Sequence, residues 1–491
     1  MRILSGNSGF TLIGVLVVVG IMAALAAIVV PNMARFVGTG TEEGAATLTH
    51  TPTPTASPTA TATVSPTQTP TPMQTPTPTP GPALSDTPVP GATWIRQFGS
   101  PVWDRANGVA VDRGGNIITS GATYGAMPGK TSAGSWDIFV WKVSPAGGEL
   151  WSYQFGSPDS DGALAIAVDG SGNIILVGHT GGGLPEWTNA GYDDAWVRKL
   201  SPEGIEVWTR QFGSSEPDQA FGVAVDGSGN IIVVGGTMDV LPGQTSAGYE
   251  DAFVRKFSPA GVELWTRQFG SPASDRAWGV TADGSGNVIV AGRTEGVLPG
   301  QTKAGSWDAF VREFSPAGVE LWTTQFGSPA PDAALAVAVD GAGNIFVAGH
   351  TMGVLPGQTS GGVDDAYVRK LSAAGAELWT RQFGTPLSDE AFAIAVDGTG
   401  NAFVTGNTAG TFPGETKAGY EDAFVQKLSP DGADLGTRQF GSPAPDVAFG
   451  VAVDGTGNIF AAGATYGAMP GQTSAGHWDA FVVRLNQPVA P

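Results

Sequence analysis

Apolar and polar residues alternate in short runs over most of this chain, and the runs recur. One stretch holds four of them: Ala220–Asp226 (AFGVAVD), Asn230–Thr237 (NIIVVGGT), Asp251–Ser258 (DAFVRKFS) and Glu263–Phe269 (ELWTRQF). Each is short, rich in β-branched and aromatic residues, and bounded by Gly, Pro or Asp. That pattern predicts strands and gives no helical period. Gly227-Ser228-Gly229 offers positive-φ positions for a tight hairpin between the first two runs. Pro259-Ala260-Gly261 does the same between the last two. In the first run Ala220, Gly222 and Ala224 are expected on one face, and Phe221, Val223 and Val225 on the other. A small face opposite a large one lets successive sheets nest.

The unit repeats without insertion. QFG begins at Gln97, Gln154, Gln211, Gln268, Gln325, Gln382 and Gln439, always 57 residues apart. Four antiparallel strands per unit and seven units predict an all-β fold, a seven-bladed β-propeller over 93–486 with a short tail at 487–491. The array opens at Thr93 in the outermost strand type and ends on Asp479–Leu485, the third type. The first strand is therefore expected to complete the last blade and close the ring. A Trp recurs in the outer strand at Trp94, Trp151, Trp208, Trp265, Trp322 and Trp379, and Gly436 replaces it once. With the Phe of QFG, it is expected to fill the gap between blades at the perimeter.

The units GVAVDGSGNIIVVG and DAFVRKFSPAGVELWTRQFGS resemble the bacterial SBBP-type β-propeller repeat. The resemblance implies a seven-bladed propeller on secreted or surface proteins, and no settled activity. The SPAG-x-ELW part is also distantly similar to repeats of quinoprotein dehydrogenases, but no calcium or quinone constellation accompanies it.

The N-terminal pattern is different. Residues 10–35 begin with 21 uncharged positions, FTLIGVLVVVGIMAALAAIVV. As a helix these span roughly 30 Å, enough for a bilayer. The leader 1–9 ends at Gly9, and Gly9-Phe10-Thr11-Leu12-Ile13 resembles the cleavage site of type IV prepilins. The resemblance implies cutting by a prepilin peptidase between Gly9 and Phe10, methylation of Phe10, and pilus or pseudopilus subunits as partners. Gly14 stands where that family has a Glu that neutralises a neighbour's N-terminus, which fits a minor subunit or a plain anchor better than a bulk filament protein. Residues 36–92 form a Thr/Pro-rich linker holding twelve prolines between Thr47 and Pro90. Such a composition buries no core and favours extended polyproline II, reaching on the order of 130 Å.

Composition narrows the chemistry. The chain has 491 residues and no Cys, which excludes disulfides, thiol nucleophiles and Cys-ligated metals. A net charge of −20 argues against nucleic acid as a partner. The DGSGN turns lack the remaining ligands of a calcium loop. No GxSxG, HExxH or phosphate-binding loop is present. The four His are scattered, with His179 and His350 at equivalent positions but Ala122, Gly236, Arg293, Asn407 and Ala464 in the other copies. No catalytic residue and no cofactor are assigned, and the chain is expected not to be an enzyme.

Two sets of residues remain as candidates. Asp104, Asp161, Asp218, Asp275, Asp332, Asp389 and Asp446 precede the inner strands and form a weak metal candidate, against the simpler expectation that each caps its own loop. Trp136, Tyr192, Tyr249, Trp307, Tyr420 and Trp478 lie near the ends of the long loops between second and third strands. Aromatic rings beside Gln, Asn and Asp suit sugars, by stacking and hydrogen bonding. The expected function is a surface-tethered, non-catalytic recognition or adhesion module binding a glycan or protein, with its long-loop face turned away from a bacterial membrane. The alternative is a structural envelope component of pseudopilin type without a ligand. A quinoprotein-like enzyme is the third reading.

Overall fold

A computed structural model describes residues 92–487. The leader, the apolar segment and nearly all of the Thr/Pro-rich linker lie outside the described residues. So does most of the 487–491 tail. The described residues form 28 strands in seven four-stranded antiparallel sheets and contain no helix. The protein is an all-β, seven-bladed propeller with four strands per blade. No helix among the described residues is long and apolar enough to cross a membrane.

Blade three shows the common plan. Its strands are Asp218–Val225, Ile231–Thr237, Asp251–Phe257 and Glu263–Phe269, from the axis outward. The inner strand starts two residues before the expected Ala220, because Asp218 and Gln219 already pair with Thr237 and Gly236. The middle strands are buried along their whole length, so both carry near-continuous apolar runs.

The expected alternation of the inner strand needs correcting. A bulge lies between Ala220 and Gly222, and every inner strand carries one at the equivalent place. An extra residue shifts the later side chains to the opposite face. Ala220 therefore packs in the same apolar cluster as Val223 and Val225. The bulged Phe221 instead meets Trp278, its counterpart one blade on, at 6.3 Å between ring centres. Gly235 faces the bulge from the second strand, where a Cβ would lie 1.8 Å from the Gln219 carbonyl oxygen. Only Gly permits that approach.

Blades adhere through the outer Trp. Trp208 lies over Gly261, the positive-φ residue in the next blade's last turn, and its indole N–H donates to the Pro259 carbonyl at 3.1 Å. Arg210 adds a bond from Nε to the Gly261 carbonyl at 2.9 Å. Trp94, Trp151, Trp265 and Trp379 repeat the indole bond. At the perimeter Phe212 packs edge-on against Phe253 of the next blade.

The ring closes as the phase of the array predicts. Ala92–Phe98 pairs antiparallel with Asp479–Leu485 and supplies the outer strand of blade seven. That closure removes an open sheet edge. It also explains Gly436. Blade seven's third and outer strands come from opposite ends of the chain, so no hairpin turn joins them for a Trp at 436 to cover. The first register pair, Ala92 with Leu485, lies at the short-turn end. The described chain thus enters and leaves on the short-turn face.

Candidate functional site

The long-loop face carries two kinds of polar structure, one identical in every blade and one that changes. The identical part is a buried pair of carboxylates at each blade junction. Asp137 opens a third strand and Asp161 opens the next blade's inner strand; both are buried. Gly156 of the QFG motif runs between them, where an added Cβ would stand 2.7 Å from an oxygen of each. Gln154 donates from Nε2 to Asp137 Oδ2 at 2.7 Å, and Ser157 donates from its backbone N–H to Asp161 Oδ2 at 2.6 Å.

The Asp104 series all behave in this manner, each capping its own preceding loop. Asp104, Asp218, Asp275, Asp332, Asp389 and Asp446 accept on Oδ2 from the backbone and hydroxyl of the Ser or Thr four residues back. Their Oδ1 atoms have no hydrogen-bond partner among the described residues. Burial raises their pKa, with the neighbouring third-strand Asp adding to it. Asp104, Asp161 and Asp218 are pushed up to about 6, and Asp446 to about 7.

The changing part is a collar on the inner side of the same face. Three positions per junction build it: the penultimate residue of a second strand, the residue before a third strand, and the second residue of the next inner strand. At the junction of blades five and six these are His350, Asp364 and Glu390, which bring one ligand atom each within 4.8 Å of one another. His350 Nδ1 lies 3.2 Å from both oxygens of Asp364. Burial opposes a charge on His350, but the Asp364 carboxylate outweighs it and lifts the pKa to about 9. Burial lifts Glu390 to about 7, against the pull of His350 and with the push of Asp364 and Glu421. One imidazole and two carboxylates at this spacing can share a proton or hold a divalent cation.

The other junctions hold different chemistry in the same frame. Gly236, Glu250 and Arg276 place an ion pair, Arg276 Nε to Glu250 Oε1 at 2.5 Å, with the Ser274 hydroxyl on the second oxygen. Arg293 lies over the Trp307 ring at 4.0 Å and near Trp278 at 5.2 Å. Burial, then Arg276, brings the Arg293 pKa down to about 10. Arg105 stands over Trp136 at 5.6 Å. His179 is buried, which lowers its pKa. Gln219 donates to Asp193 Oδ2 at 3.2 Å. Arginines thus gather toward blades one and four, and Asp364, Glu390 and Glu421 toward blades five and six.

The six candidate aromatic residues do not form one set. Trp136, Trp307 and Trp478 occupy the collar position before the third strand and are half-buried. Tyr192, Tyr249 and Tyr420 lie one residue earlier and are 67%, 65% and 55% exposed. One step of register separates a ring packed inward on arginine from a ring offered to solvent. The collar itself was missed from sequence. Its signal was present: 122, 179, 236, 293, 350, 407 and 464 read Ala, His, Gly, Arg, His, Asn and Ala within copies that otherwise nearly coincide.

Known proteins match parts of this chain. The "Regulatory protein FlaEY" of Caulobacter vibrioides is 26% identical over 337 residues, covering 60% of this chain and 35% of that protein. The "Uncharacterized WD repeat-containing protein L264" of Acanthamoeba polyphaga mimivirus is 23% identical over 230 residues, 36% of this chain and 16% of that one. The chain therefore spans about a third or less of the length of these curated relatives. Among solved structures, the Neurospora crassa Pan2 WD40 domain aligns with a TM-score of 0.45 at 12% identity, covering 80% of this chain and 97% of that one. The polysaccharide lyase Uly1 aligns at 0.45 and 9% identity, covering 82% and 94%. Residues 207–237, 321–356 and 378–413 match the SBBP beta-propeller repeat, so the chain is a seven-bladed propeller that carries SBBP repeats.

Proposed function

We propose that the propeller is a non-catalytic recognition module, that its ligand seats on the long-loop face across the collar and the exposed tyrosines, and that this ligand is a glycan. The observation that carries the reading is the collar. In an array whose frame recurs in every blade, three positions per junction that change identity from copy to copy meet on one face. The fold requires the Asp pairs below it but fixes none of these identities, and rigid scaffolds commonly carry binding groups on such loops. Tyr192, Tyr249 and Tyr420 offer open ring faces for sugar stacking. The acidic sector and the net charge of −20 favour a neutral glycan, or a cation-bridged one, over an anionic one. A relative named as a regulatory protein is in keeping with binding rather than turnover.

Display follows from the ends. The described chain enters and leaves on the short-turn face, which supports a tether on that side and a free long-loop face. The tether would be the membrane segment 10–35, processed between Gly9 and Phe10 by a prepilin peptidase, with the propeller at the bacterial cell surface. A glycan array probed with the protein tests the reading. The triple change Tyr192→Ala, Tyr249→Ala and Tyr420→Ala is expected to weaken the strongest signal at least tenfold, at roughly 1 kcal/mol or more per stacking face lost. A signal that survives the triple change, or an array with none, favours the structural envelope component instead. Mature protein is expected to begin at Phe10 on N-terminal sequencing.

A further inference from the structure

Blade six departs from its neighbours at the perimeter, in its third and outer strands. In blades two to five an arginine of the third strand stands over the QFG Phe of the preceding blade. Arg198, Arg255, Arg312 and Arg369 stand 4.0, 4.1, 4.3 and 3.9 Å above Phe155, Phe212, Phe269 and Phe326. Each donates from Nε to a Thr hydroxyl of its own outer strand at 2.7–2.9 Å. Each also meets a Glu carboxylate of that strand, 3.3–3.7 Å from Nη1. Ring face, hydroxyl and carboxylate together make a guanidinium cradle. In blade one Trp141 fills the place, 4.1 Å from Phe98. In blade seven Val483 and Ile95 fill it with apolar packing beside Phe440.

Blade six keeps the cradle and loses the arginine. Phe383 and Thr437 occupy the ring and hydroxyl positions, and Asp434, one methylene shorter than the Glu of the other blades, the carboxylate position with Oδ1 accepting from the Gly436 N–H at 2.8 Å; Gln426 stands where the arginine belongs. Gly436 also replaces the outer Trp. A cleft of about 320 Å³ opens here, lined by Phe383, Phe412, Gln426, Asp434, Gly436 and Thr437. The shorter Gln426 is buried, and its Oε1 has no hydrogen-bond partner among the described residues. A buried acceptor left alone is costly unless something donates to it.

We propose that this cleft binds a guanidinium cation, carried on an extended arm such as an arginine side chain of a partner polypeptide. The cation would lie on Phe383 as four internal arginines lie on their rings. Thr437 accepts an N–H group as its counterparts do, Asp434 offers Oδ2 while Oδ1 holds the Gly436 N–H, and Gln426 Oε1 gains its missing donor. An ammonium is a compact, strongly hydrated charge and cannot match this planar set.

Calorimetric titration of the full chain tests the assignment. N-acetyl-arginine methylamide is expected to bind saturably, and N-acetyl-lysine methylamide at least roughly tenfold more weakly, the cost of losing a planar multidentate match. Methylguanidinium distinguishes sources: binding as tight as the capped arginine assigns the cleft to small guanidinium compounds, and weaker binding assigns it to an arginine in a chain. Gln426→Arg restores the pattern of blades two to five, so it is expected to fold with a raised Tm and lose the binding. Phe383→Leu keeps the cleft apolar without a π face and is expected to weaken binding. Neither His350, Asp364 and Glu390 nor the three exposed tyrosines line the cleft, so changes there are expected to leave arginine binding intact, which separates it from the glycan reading. Equal affinity for the lysine probe, undiminished binding by Gln426→Arg, or no saturable binding of the arginine probe overturns the proposal.

Discussion

The two faces of the propeller present the same residue type in opposite electrostatic settings. On the short-turn face an Asp opens each turn between first and second strands; Asp169 and Asp226 are buried and the others half-buried. Burial works against ionisation of Asp226, but Lys256 and Asn230 outweigh it and hold the pKa below the usual carboxylate range. Lys256 Nζ stands 2.9 Å from Asp226 Oδ2. Asp112, Asp169, Asp340, Asp397 and Asp454 are lowered too. On the long-loop face the Asp104 series has backbone donors but no cation, and a second carboxylate faces each member. There burial wins and the pKa rises. What separates the faces is the balance against burial: the Asp104 series is fully buried beside a second carboxylate, whereas the turn-face Asp are held low by hydrogen bonds, alone at Asp397 and Asp454 and with a lysine at Asp226.

The largest expected effect is on pH dependence. A carboxylate raised in the folded state stabilises the fold below its unfolded pKa, near 4, and that contribution is lost as pH rises through about 6 to 7. The turn-face carboxylates have the reverse sign: their contribution is present above about 4 and lost as pH falls further. Thermal stability is expected to rise from about pH 7.5 to about pH 5 and to fall steeply below about pH 4. A Tm flat across neutral pH would show that the junction carboxylates titrate normally. Asp446→Asn, which mimics the protonated form at the most raised site, is expected to reduce the rise between about pH 7.5 and about pH 5.

Glycine substitution probes packing on the two faces. Gly270→Ala places a Cβ 2.5 Å from Asp251 Oδ1 and 2.7 Å from Asp275 Oδ2. Overpacking of that kind costs about 2–3 kcal/mol. Gly227→Ala on the short-turn face meets nothing within 4 Å and is expected to change stability by less than about 0.5 kcal/mol. Chemical denaturation of the pair measures the contrast, and equal losses would mean that the junction relaxes freely.

The smallest effect sharpens the role of the counter-charge. Blade four has Glu313 where the other blades have Lys142, Lys199, Lys256, Lys370, Lys427 and Arg484, and its carboxyl is buried near Asp283. Burial raises its pKa, and Asp283 adds to the rise. Glu313→Lys is expected to stabilise the protein by about 1 kcal/mol, read as a higher denaturation midpoint. No gain would show that the lysine–aspartate pairs of the turn face contribute little.

Much of the frame was legible in the chain. The 57-residue period fixed the blade number, and Gly229 and Gly261 marked the turns, because only a residue without Cβ accepts positive φ cheaply. The phase of the array gave the closure by Ala92–Phe98. Face assignments in the inner strand were not legible, since the bulge beside Phe221 has no fixed residue signature and one extra residue inverts everything after it. Tyr249 and Trp307 looked alike as loop-end aromatics, yet one position of register sends one to solvent and the other onto Arg293.

Local pattern by itself determined strands, turns, repeat number and the capping role of each Asp, because those depend on residues close in sequence or at a fixed period. Tertiary structure alone decided which carboxylates face each other, which copy-variable residues meet in the collar, and where Gln426 leaves its cradle open. Those contacts join residues of neighbouring blades, often more than 40 positions apart, and their energies depend on burial and on the partner presented across the junction. Phe383 is spelled like every other QFG phenylalanine; only the residue that folds above it makes its ring a site.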